Sequence, residues 1–79
     1  MEVNTMKTND IIKVECTFWA IPEYKVSYAN GKTRTFTEDT LPQNVKDFVI
    51  KRIGTDQHIE EKVCMKIGYF VNRATYARV

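Results

Sequence analysis

The sequence predicts a single small α+β domain of order β-β-β-α-β, a mostly antiparallel sheet with one helix packed on one face. Three observations predict it. The run "IIKVECTFWAI" from Ile11 alternates with period two. The segment "YKVSYANGKTRTFT", residues 24–37, holds two further alternating runs on either side of Asn30-Gly31. Val45, Phe48, Val49 and Ile53 then recur at the spacing of one helix face. A chain of 79 residues has room for one core and not for two.

Residues 1–9 are polar and without period, and are expected to form a flexible tail ahead of a domain spanning 10–79. In the first strand Ile12, Val14, Cys16, Phe18 and Ala20 should share the apolar face, with Lys13, Glu15, Thr17 and Trp19 on the other. Pro22 cannot donate to a ladder, so "IPE" should end that strand and turn the chain. Read as a two-residue type I′ turn, Asn30-Gly31 pairs Lys25 with Phe36 and Val26 with Thr35. Tyr24, Val26, Tyr28, Thr33, Thr35 and Thr37 would then face the core, with Phe18 beside Val26 and Trp19 beside Lys25.

A helix is expected from about Pro42 to Ile53, with Glu38 and Asp39 near its positive end and Gly54 as the residue that stops it. Ile50 falls off its apolar stripe and should point outward. The last third fits a helix through Ile59, Val63, Ile67, Phe70 and Ala74, or a strand through Val63, Met65, Ile67, Tyr69 and Val71. Gly68 and the β-branched and aromatic content favour the strand, about Glu61 to Val71, with "ATYARV" as a short edge strand after it.

Composition bounds the function. Lys and Arg (12) nearly balance Asp and Glu (10), so the net charge of +2 implies no polyanionic partner by itself. No apolar stretch approaches the roughly 18 residues of a spanning helix, and "MEVNTMKTND" lacks a secretory leader's pattern. A cytoplasmic protein without a membrane segment is expected. Cys16 and Cys64 are read as free thiols on opposite sheet faces, which suits a reducing compartment.

Catalytic chemistry finds little support. The "GKT" at Gly31–Thr33 lacks the earlier glycine of a phosphate loop, since Val26 stands there, and it lies in a hairpin. Cys16, His58 and Cys64 offer no zinc-ligand spacing. Glu38, Asp39, Glu60 and Glu61 read as caps and solubilising charges. The expectation is no enzyme, no catalytic residue, no metal and no cofactor.

One surface remains. The expected second sheet face gathers Trp19, Lys25, Lys32, Arg34, Phe36, Lys62, Lys66 and Phe70, together with Lys13, against the single carboxylate of Glu15. Exposed strands also carry cations merely to discourage edge pairing. The reading that follows is a small non-enzymatic binding protein, acting through a sheet face or edge on a protein partner or on itself. The alternative is a nucleic-acid-binding module, in which the aromatics stack on bases and the cations contact phosphate.

Overall fold

Alternation builds the first strand as expected: β1 runs Ile11–Phe18, β2 Glu23–Tyr28 and β3 Thr33–Thr37. A 3₁₀ turn at Glu38–Thr40 leads to α1, Gln43–Ile50, and the chain ends in β4, His58–Cys64, and β5, Phe70–Ala77. The computed structural model describes residues 10–18 and 20–78, so the expected tail at 1–9 and Trp19 lie outside the described residues. The five strands form one sheet in the order β3-β2-β1-β5-β4, with every neighbouring pair antiparallel. The α+β class, the antiparallel sheet and its single helix are those the sequence predicts.

On the helix side, Val14, Cys16, Val26, Ala74 and Tyr76 meet Val45 and Phe48 from α1, and Tyr24, Tyr28, Phe36, Leu41 and Val49 close the margin. A β-bulge between Ile11 and Lys13 swings Ile11 into this core, where alternation alone had Ile12. The helix is shorter than its apolar stripe. It stops at Ile50, so Ile53 is exposed in the turn that follows, while Ile50 points to solvent as expected.

The first hairpin departs from expectation by one residue. Gly31 N–H donates to Tyr28 O (3.0 Å) and Tyr28 N–H to Lys32 O (2.9 Å), which closes a loop of three residues, Ala29-Asn30-Gly31. Only Gly31 has positive φ (+86°), whereas a type I′ turn needs it at Asn30 as well. Tyr24 therefore pairs with Phe36, Lys25 with Thr35 and Val26 with Arg34. Side chains alternate with period two, so this slip moves all of β3 to the other face. Arg34 and Phe36 lie on the helix side, and Thr33, Thr35 and Thr37 on the open side.

The expected strand at 61–71 is in fact a second hairpin. Met65 N–H donates to Tyr69 O (2.8 Å) and Gly68 N–H to Met65 O (2.9 Å), with Gly68 at φ +93°, so the turn repeats the geometry of the first. Gly68 closes the turn instead of lying within a strand. The carboxyl-terminal strand β5 sits between β1 and β4, and β4 takes the edge. Phe18 is opposite Asn72 and not beside Val26, because Val14 takes that place.

Candidate functional site

Placed on this frame, the eight residues expected to form one face do not come together. Lys25 is on the open side, while Arg34, Phe36, Lys62 and Phe70 are on the helix side. Lys66 falls in the second hairpin turn and Lys32 pairs with Tyr28 just past the first, and Trp19 is not among the described residues. Lys25 and Phe36 are on opposite faces, so the basic aromatic face does not form as expected. Phe36 is half-buried against the core instead of presented to a ligand.

The open side carries a row of alternating charge. Glu15 bridges Lys13 and Arg73, at 3.5 Å to each, and Arg73 Nη2 reaches Glu61 Oε1 at 2.6 Å. The hydrogen bond to Glu61, reinforced by the Glu61 and Glu15 charges, pushes the Arg73 guanidinium further up. Around this row stand Thr17, Thr33, Thr35, Thr37 and Thr75, residues suited to exposed strands. With Glu23, Glu15 and Glu61 facing Lys13, Lys25 and Arg73, the side is balanced rather than basic.

Against the helix, Arg52 is a fixed structural cation. Its guanidinium carbon lies 3.6 Å from the centroid of the Phe48 ring, Nε donates to Ala77 O (3.2 Å) and Nη1 donates to Phe48 O (3.0 Å). Burial and the neighbouring Arg78 lower its pKa. On β4, His58 stacks on Tyr76 with ring centroids 4.6 Å apart. Its Nδ1 accepts the Gly54 N–H (3.2 Å). Nε2 lies 3.1 Å from Glu60 Oε2, at an angle that falls short of a hydrogen bond. Among the described residues no three of His, Cys, Asp and Glu converge as a metal site would require.

Cys16 and Cys64 are both free, and both are on the helix side, not on opposite faces as expected. Their separation comes from position along the strands: Cys16 pairs with Ala74 and Cys64 with Phe70. Cys16 is buried and its thiol is pushed up chiefly by that burial, whereas Cys64 is exposed.

The surface that does stand out is the β4–β5 hairpin. Four of the eight exposed large hydrophobics among the described residues belong to it: Ile59, Ile67, Tyr69 and Phe70. Phe18, at the adjoining end of β1, joins Tyr69 and Phe70 around an open cleft of about 600 Å³, whose lining includes Lys62 and Asn72. Sequence reasoning placed Phe70 in the candidate site but missed Phe18, Ile59 and Tyr69. The signal that could have found them is Gly68 between Ile67 and Tyr69, the same glycine-terminated turn as Gly31. Among the described residues no helix is long and apolar enough to cross a membrane. No family model matches the chain, and no curated protein or solved structure shows significant similarity to it.

Proposed function

We propose that the chain is a small non-enzymatic protein-binding module whose contact region is the β4–β5 side of the sheet. The observation that carries this reading is the cluster of exposed apolar residues around one cleft at that end: Phe70 (62%), Tyr69 (47%) and the neighbouring Phe18 (45%) are left in water, and Ile59 (59%) on β4 is exposed on the opposite face. Grouped exposure of this kind marks an interaction surface, whereas scattered single residues do not. Free thiols at both cysteines suit a reducing compartment, which supports a cytoplasmic setting. The nucleic-acid alternative loses its main support once Lys25 and Phe36 part to opposite faces.

The lysines give a direct test. Lys62 and Lys66 are exposed on the hairpin, Lys46 and Lys51 on the helix side, and Lys25 and Lys32 at the far hairpin. Amine-specific cross-linking in cells should place intermolecular protein links on Lys62 and Lys66, and Phe70→Asp should deplete them without shifting the denaturation midpoint. Links concentrated on Lys46 and Lys51 would move the site to the helix. Salt-dependent polarisation of a labelled oligonucleotide, lost in Lys62→Gln, would replace the protein reading with the nucleic-acid one.

A further inference from the structure

The hydrogen-bond phase of β4 leaves a usable edge. Ala77 N–H donates to Gln57 O (3.0 Å) and Met65 N–H to Tyr69 O (2.8 Å), so in this register Ile59, Glu61 and Val63 direct their backbone groups into β5. The backbone groups of His58, Glu60, Lys62 and Cys64 therefore point outward, and among the described residues only the His58 N–H is engaged, by Thr55 O at 3.1 Å. The opposite edge is blunted. β3 has five residues, and its last outward N–H, on Thr37, is taken by the Thr40 hydroxyl at 3.0 Å.

A two-fold axis perpendicular to a sheet pairs an edge strand with itself antiparallel and keeps like faces together. Centred on Glu61, the middle of the seven residues of β4, it uses the whole strand. Glu60 then opposes Lys62 of the second copy, and Ile59 opposes Val63, each twice by symmetry. Glu61 meets Glu61 of the second copy, but each carboxylate is already paired with its own Arg73 at 2.6 Å, so the two like charges at the axis are each compensated from within their own chain. Neighbouring registers are worse. Centring on Glu60 sets Glu60 against itself and Ile59 against Glu61, and centring on Lys62 sets Lys62 against itself and Glu61 against Val63. Edge charges ordinarily repel a second strand; in this order they match one.

We propose that two copies of the chain associate through β4, antiparallel about Glu61, to join their sheets into one continuous sheet. This rests on the protein-binding reading above and names the partner as the chain itself. Exposed Ile59 gains Val63 of the second copy beside it, and the outward amides of Glu60 and Lys62 gain carbonyls.

Sedimentation velocity over a concentration series tests it with a charge-swap cycle. Wild type should dimerise. Glu60→Lys and Lys62→Glu should each weaken the dimer by about tenfold or more, since symmetry doubles every lost pair, and the double exchange should restore it. In a Cys64→Ser background, Glu61→Cys should form a disulfide-linked dimer on mild oxidation, because a non-hydrogen-bonded pair brings the two Cα atoms to about 4.5 Å. Glu60→Cys, which faces Lys62, should link far less. A wild type that stays monomeric at millimolar concentration overturns self-pairing, and hairpin-specific cross-links to a different protein would then leave the broader reading standing. A dimer indifferent to the charge swaps and to Glu61→Cys overturns the β4 geometry. Absence of both a dimer and hairpin cross-links overturns both readings.

Discussion

Replacing Gly31 and Asn30 separately by alanine tests the register on which every face assignment depends. Gly31 sits at φ +86°, and a Cβ added there meets nothing within 4 Å, so the cost of Gly31→Ala is purely backbone. Holding a side-chain-bearing residue in the left-handed region costs about 1–2 kcal/mol, and loss of glycine's freedom in the unfolded chain returns about 0.4–1 kcal/mol. The net is a loss of about 1 kcal/mol, or about 1 M in urea midpoint if the slope for so small a domain is about 1 kcal/mol/M. Asn30 has ordinary negative φ, and Asn30→Ala removes only the exposed bond from Lys32 N–H to its Oδ1 (2.9 Å), worth about 0.5 kcal/mol. A two-residue type I′ turn strains both positions, so equal losses at Asn30 and Gly31 would refute the three-residue loop. Nuclear Overhauser contacts decide independently. The observed register brings the Hα atoms of Lys25 and Thr35 together, whereas the alternative joins Val26 and Thr35.

Three further outcomes are expected. Phe48→Ala should cost about 3–5 kcal/mol by denaturant unfolding, because Phe48 is buried in the core and carries the Arg52 guanidinium on its ring; Ile50→Ala, 64% exposed, should move the midpoint little. One thiol, Cys64, should react with a disulfide reagent in native protein, and Cys16 should react only on unfolding, since it is buried and its thiolate is disfavoured. Burial, with Cys16 beside it, pushes the Tyr24 phenol from its ordinary 10 up to about 12. The fold thus holds the neutral phenol, and its contribution to stability is complete below pH 10 and drains as pH rises towards about 12. Tyr24→Phe should flatten that part of the stability–pH curve.

Much of the architecture was legible because periodicity reports burial directly. Alternation through Val14 and Cys16 located β1, the Val45–Phe48 spacing found the helix face, and Asn30-Gly31 marked the first hairpin. Register was not legible, because it depends on φ at Asn30, and a residue type that tolerates either sign cannot declare which one the turn uses. That one angle removes Phe36 and Arg34 from the surface expected to hold Lys25. Alternation also ran unbroken from Val63 to Val71 across a turn. Three loop residues and a paired residue on each side preserve parity, so the pattern of Val63 and Val71 gives no sign of the reversal between them. Ile53 was misassigned for a related reason: an apolar residue at helical spacing does not require the helix to reach it.

The exposed hairpin follows from the dimensions of the parts. An eight-residue helix spans about 12 Å, whereas an eight-residue strand spans about 27 Å, so α1 shields less than half the length of β1 and β5. The helix is spent over Val14, Cys16, Val26 and Tyr76, which are buried. Farther along the same face, Phe18 and Phe70 have the orientation of core residues but are left exposed, with no layer above them among the described residues. Among the described residues there is no second α-helix to cover that end. Pairing two copies through β4 extends the sheet so that each copy's uncovered end borders the other's helix-bearing half, with Cys64 beside His58 of the second copy. The two helices then flank a shared central face that holds both Phe70 side chains. The proposed self-association would thus build the floor around Phe70, and a variant that abolishes β4 pairing should weaken any contact made through Phe70 even though Phe70 itself is untouched.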